Sequence, residues 1–161
     1  MLGPSAFPRH HIFLLDTVAG DSAKVQQARI WHFIMTVGPP VFVVAVVDDD
    51  QGILQSLAYL LESADFAVRL FASAAALLES GCLAEIDCLI SDVDMPGIDG
   101  FELVRQVHSA RPQLPIIVIT GYPDRLARLP ALGGSKPRMF TKPFQGHELL
   151  AAVSDALRAF R

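Results

Sequence analysis

Long apolar runs, basic clusters and paired cysteines are all scarce in this chain of 161 residues, and each scarcity removes a class of function. The longest continuous apolar run, residues 41–47, is far short of the roughly 20 residues that a membrane-spanning helix needs. Lys and Arg number 13 against 17 Asp and Glu, a net charge of -4, so no basic face for direct nucleic-acid binding is expected. Functional charge, if present, should be negative. The two cysteines, Cys82 and Cys88, lie in or beside apolar segments without CxxC spacing, which reads as two small buried hydrophobes in a reducing compartment. Near the start, the basic flank of "RHHIFLLD" leads into an apolar patch that stops at Asp16, too soon for a signal-peptide core. A cytoplasmic protein with no membrane partner is the expectation.

What is plentiful is aliphatic carbon. Hydrophobic residues make up 52% of the chain, enough for one ordinary core and too little length for two. Residues 1–38 stand apart: Pro4, Pro8, Gly20 and Gly38 punctuate them, and only "DSAKVQQARIWHFIM" could form a short helix. They are read as an extension, flexible or partly helical, ahead of a single domain over residues 39–161. His10, His11 and His32 have no partners at metal-binding spacing.

From residue 41 the pattern alternates. "VFVVAVV", "FAVRLF", "CLIS", "PIIVIT" and "MFT" read as strands. Between and after them, "GILQSLAYLLESA", "SAAALLESG", "GFELVRQVHSA" and "GHELLAAVSDALRAF" read as helices, with apolar positions such as Ile53, Leu57, Leu60 and Leu61 in the first and Phe101, Val104 and Val107 in the third. Continuously apolar strands separated by helices belong to a parallel sheet covered on both faces. The fold class is therefore α/β: a five-stranded parallel sheet, doubly wound, in three αβα layers. Such sheets bind ligands beyond the carboxyl ends of their strands.

Those ends carry Asp48, Asp49 and Asp50 on the first strand, Asp92 and then Asp94 on the third, Thr120 on the fourth and Lys142 on the fifth. If the first and third strands are neighbours, their ends lie about 5 Å apart. Two carboxylates at that distance repel by roughly 3 kcal/mol at an effective dielectric near 20. A cation is needed, and an all-oxygen donor set selects a hard one such as magnesium, which commonly takes its remaining ligands from a phosphoryl group. Thr120 and Lys142 could then donate to phosphoryl oxygens, and a carboxylate can itself be the nucleophile. Asp92, at the tip of a central strand, is the best candidate. Asp50 and Asp99 read instead as helix caps.

The fragments "VVDDD", "DVDMPGIDG", "VITG" and "KPF", in that order and at those intervals, resemble the receiver domain of two-component response regulators, and "TGYPD" is most similar to the nitrogen-fixation-regulator branch. The resemblance implies a flavodoxin-like strand order of 2-1-3-4-5. It implies that Asp92 is phosphorylated by a histidine kinase or histidine phosphotransfer protein, and that Asp49 and Asp92 bind Mg2+ directly. Asp48 would assist through water, the backbone carbonyl of Asp94 would complete the set, and Thr120 and Lys142 would contact the phosphoryl group. The domain would be a phosphoacceptor, at most catalysing its own phosphorylation and dephosphorylation, and would signal to an unknown downstream protein or pair into a homodimer on phosphorylation. Met139 stands where the family usually has an aromatic residue. Pro130 and Gly133-Gly134 interrupt the expected fourth helix, predicting a short, kinked or mobile element, since an interior proline costs about 3 kcal/mol. Arg161 ends the chain where a regulator of this branch would continue into a DNA-binding module, so a stand-alone receiver is expected. Two other functions use similar residues. A receiver-like scaffold would bind without switching, and a phosphatase of the haloacid-dehalogenase type would also form an aspartyl phosphate, but with its nucleophile before the acidic pair.

Overall fold

Residues 41–129 and 137–160 are described by the computed structural model. The expected extension over residues 1–38, the helix within it, Pro130 and the Gly133-Gly134 pair lie outside the described residues. Five strands form one parallel sheet in the order β2-β1-β3-β4-β5. They are β1 (Val43–Val47), β2 (Ala67–Phe71), β3 (Cys88–Asp92), β4 (Ile116–Thr120) and β5 (Arg138–Thr141). The helices are α1 (Gln51–Glu62), α2 (Ala74–Glu79), α3 (Gly100–Ala110) and α4 (Gly146–Ala159).

Alternation along the central strands divides their side chains between two cores. Ala45, Val47, Leu89, Ile116 and Val118 point to one face, where α2 and α3 cover them with Leu77, Leu103, Val104 and Val107. Val44, Val46, Ile90, Ile117 and Ile119 point to the other, beneath Leu54, Leu57 and Leu61 of α1 and Leu149, Val153 and Leu157 of α4. Burial on both faces explains why these strands read as unbroken aliphatic runs. Cys82 and Cys88 are buried free thiols within the two cores, the role their neighbours predicted. Burial in an apolar setting pushes the Cys88 thiol up to about 12.

The helix starts follow their caps. The Asp50 side chain accepts from the backbone N–H groups of Gly52 and Ile53, and Asp99 accepts from that of Glu102, as expected of capping carboxylates. Two expectations need correction. The first strand begins at Val43 rather than at residue 41, because Val41 is 60% exposed and the Val43 N–H is clipped by Asp87 Oδ2 at 2.8 Å. Where a fourth α-helix was looked for, the described part of the segment is a 3-10 helix, Pro123–Arg128. Leu54 and Leu103 also belong to the core although the selected helical positions passed over them. Among the described residues, no helix is long and apolar enough to cross a membrane.

Two glycines shape the connection from β3 to α3. Gly97 has φ +79°, a left-handed conformation that side-chain-bearing residues rarely adopt. Gly100 opens α3 so close to the end of β3 that an added Cβ would lie 2.3 Å from the Asp92 carbonyl oxygen and 2.5 Å from Val93 Cα. Helix propensity alone would have Gly100→Ala stabilise by about 1 kcal/mol. The backbone contact reverses the sign, so a loss of about 2 kcal/mol is predicted from overpacking. Urea denaturation at constant m-value measures it, and an unchanged or raised midpoint would contradict the close approach.

Candidate functional site

The register of the sheet assembles the acidic residues. Val47 pairs with Ser91, so one step further along both strands sets Asp48 level with Asp92. Asp92 pairs with Ile119, just before Thr120, and Thr120 pairs with Thr141, just before Lys142. The N–H of Lys142 donates to the Thr120 carbonyl at 2.8 Å, which carries the ladder one residue past β5. Parallel strands in this order therefore deliver all these side chains to one edge of the sheet.

Asp48, Asp49 and Asp92 each offer a carboxylate oxygen, and these atoms lie within 4.8 Å of one another. Asp48 and Asp92 are buried, at 2% and 4% exposure, while Asp49 faces solvent. Asp48 is held in place: its Oδ1 accepts from the Asp50 N–H at 2.8 Å and its Oδ2 from Lys142 Nζ at 3.2 Å. The same Nζ lies 3.4 Å from Asp92 Oδ1, close enough for ionic attraction but without hydrogen-bond geometry. Among the described residues, nothing donates to that buried oxygen.

An orphaned carboxylate oxygen, two further carboxylates beside it and one shared ammonium leave negative charge in excess. The residues present fit a hard divalent cation, for which an all-oxygen set is the natural donor group. Burial pushes the Asp92 carboxyl above its ordinary range; the Lys142 ammonium opposes that shift, and the Asp48 and Asp94 carboxylates add to it. For Lys142, burial acts to lower the pKa, but the neighbouring Asp92 and Asp48 outweigh it and the net direction is upward.

The side chains of Thr120 and Asp94 meet each other. The Thr120 hydroxyl, fully buried, donates to Asp94 Oδ2 at 2.9 Å. The Gly121 N–H donates to that oxygen at 3.1 Å, and Arg125 Nη1 to Asp94 Oδ1 at 2.9 Å. The Asp94 side chain thus faces β4 and the 3-10 helix, outside the trio of carboxylates. Arg125 has no sequence signal, since it pairs with a residue 31 positions earlier from a segment that reads as an interrupted helix. Met139 is 43% exposed on β5, and the Lys142–Pro143 peptide is cis.

The chain is similar to known proteins in both sequence and fold. Residues 44–154 match the family model described as response regulator receiver domain. The chain is 38% identical over 114 residues to the transcriptional regulatory protein FixJ of Azorhizobium caulinodans, covering 71% of this chain and 54% of that protein. It is 36% identical over 116 residues to the response regulator protein TodT of Pseudomonas putida, covering 72% of this chain and 51% of that one. The chain therefore spans about half the length of these relatives. A CheY-like receiver domain protein from Methanospirillum hungatei superposes with a TM-score of 0.68 at 25% identity, covering 75% of this chain and 97% of that structure.

The raised pKa of Asp92 has a consequence for stability. Folded Asp92 keeps its proton to higher pH than the unfolded chain does, so its contribution is fully present below the unfolded pKa and is lost as pH rises through the folded one. In metal-free buffer near neutrality, Asp92→Asn should therefore unfold at a higher urea midpoint than the parent. The advantage should shrink as pH falls toward about 4, the ordinary aspartate range. Equal midpoints near neutrality would show that the buried charge is already compensated.

Proposed function

The chain belongs to the response regulator receiver domain family of two-component systems, and from that membership we propose that Asp92 is its phosphoacceptor. The receiver would occupy residues 39–161, and its donor would be a histidine kinase or a histidine phosphotransfer protein. The observation that carries the assignment is the meeting of Asp48, Asp49 and Asp92 at the carboxyl edge of the sheet, with Lys142 shared by Asp48 and Asp92.

In this reading Asp49 and Asp92 would hold Mg2+, with Asp48 and the Asp94 backbone carbonyl assisting. When bound, the cation neutralises charge that develops on the phosphoryl oxygens. The Asp92 carboxylate attacks phosphorus, so that a P–O bond forms as the donor's P–N bond breaks and the imidazole leaves. Lys142 is already drawn to Asp92 and Asp48, and its ammonium is placed to pair with the incoming negative charge. Asp48 fixes the lysine, while the Asp50 N–H fixes Asp48. No proton needs removal from the nucleophile, because an ionised carboxylate attacks as it stands. The acyl phosphate would be passed on as a signal through protein-protein contact, including pairing of two phosphorylated copies.

A second reading draws on two observations. A 3-10 helix, Pro123–Arg128, replaces the start of the expected fourth helix, and Met139 replaces the usual aromatic residue. A domain built this way could be a scaffold that accepts the phosphoryl group without switching, or that does not accept it.

Incubation with acetyl phosphate and magnesium, read by mass spectrometry, separates these. One phosphoryl adduct on Asp92 is expected, absent from Asp92→Asn and absent when a chelator is added. Failure to label under conditions that label a control receiver would leave the scaffold. An adduct accompanied by unchanged amide exchange in β4 and β5 would mean acceptance without switching.

A further inference from the structure

Beyond the phosphoacceptor assignment, on which this inference rests, the geometry points to a positioning pair that controls access to Thr120. We propose that Asp94 and Arg125 hold the single proton of the Thr120 hydroxyl and yield it only when a phosphoryl group on Asp92 competes for it.

The hydroxyl carries one proton, and its surroundings decide where that proton goes. The Tyr122 N–H donates to Thr120 Oγ1 at 3.0 Å and occupies its acceptor side. On the donor side, Asp94 Oδ2 at 2.9 Å is nearer than the Tyr122 carbonyl at 3.3 Å, and it is a carboxylate, which makes the shorter bond charge-assisted. The proton is thus committed to Asp94. Thr120 is fully buried, so water cannot readily stand in for the lost bond if the hydroxyl turns away.

Asp94 is itself held from its other side. Arg125 Nη1 binds its Oδ1 at 2.9 Å, and the Arg125 guanidinium lies over the Tyr122 ring, 5.1 Å from the centroid. Thr120, Asp94, Arg125 and Tyr122 form a closed set of contacts that ties the loop after β3 to the residues after β4. Asp94 and Arg125 need not touch the reacting atoms to matter. For Thr120 to donate to a phosphoryl oxygen, its bond to Asp94 must break, so the strength of that bond is subtracted from the stability of the phosphorylated form. The side chain two positions after the acceptor then sets how readily the receiver settles into its active arrangement.

The test is a double-mutant cycle on the full chain, with beryllofluoride plus magnesium as the probe for a bound phosphoryl group and calorimetry as the readout. Asp94→Ala should bind the probe about tenfold more tightly than the parent, the scale of one charge-assisted hydrogen bond. Removing an acidic side chain could also favour an anion through charge alone. The same substitution made in Thr120→Ala must therefore gain less than about twofold, because the competition no longer exists. Arg125→Ala, at a half-exposed side chain, should reproduce several-fold of the gain, and Arg125→Lys should restore part of the restraint. A gain that persists in the Thr120→Ala background, or no gain in either Asp94→Ala or Arg125→Ala, overturns the positioning pair. A parent chain that does not bind beryllofluoride at all overturns the phosphoacceptor assignment and this inference with it.

Discussion

Carboxylate repulsion at the end of a parallel sheet is the constraint around which this domain is organised. Asp48 and Asp92 are buried on neighbouring strands with one ammonium, that of Lys142, between them. Asp49 adds a third negative charge at the solvent side. Ionised groups so placed oppose folding, and the two apolar cores beneath them must hold the strand ends in register despite it. Each stabilising contact around the trio has the same sense. The Asp50 N–H and the Lys142 ammonium reach Asp48, whereas Asp92 Oδ1 is left without a donor. Unmet acceptor capacity at Asp92 suits this edge to a cation, while the Lys142 ammonium beside it is the group that would attract an anion.

The same edge carries a second, weaker balance. Thr120 is on the strand next to Asp92, but its hydroxyl is turned to Asp94. Asp94 in turn is drawn to Arg125, in a short 3-10 helix rather than a long α-helix. A segment with so few turns has little regular backbone hydrogen bonding to hold it, so side-chain contacts such as these carry more of its placement. In the proposed function, phosphoryl chemistry and conformational response would meet at two neighbouring aspartates, Asp92 and Asp94, with different tasks. Asp92 offers an unsatisfied oxygen, and Asp94 a carboxylate with donors on both oxygens.

Much of this was readable in one dimension. Unbroken aliphatic strands exist only where both faces of a sheet are covered, so "VFVVAVV" and "PIIVIT" revealed a parallel architecture. Capping follows from local backbone donors, which is why Asp50 and Asp99 were recognisable as caps. Leu54 and Leu103 also satisfy helical spacing, three residues before Leu57 and four before Val107, but the sequence alone offers Ile53 and Phe101 as competing apolar positions, and only packing against the sheet shows which side chains are buried. The break in the fourth helix was expected from Pro130, yet the described part of that segment had already departed from α geometry before it.

By itself, the order of residues determined which side chains stand at strand ends, because strand periodicity and turn chemistry are local properties: Asp48, Asp49, Asp92, Thr120 and Lys142 could be named without coordinates. Only the tertiary structure decided which of them face one another and which bonds they already make. That Lys142 is shared by Asp48 and Asp92, and that Asp94 takes the Thr120 hydroxyl while Arg125 holds Asp94, depend on strand register and on contacts spanning 26 to 94 positions. Hydrogen bonds have no sequence periodicity at that range; they form where packing brings donor and acceptor within about 3 Å.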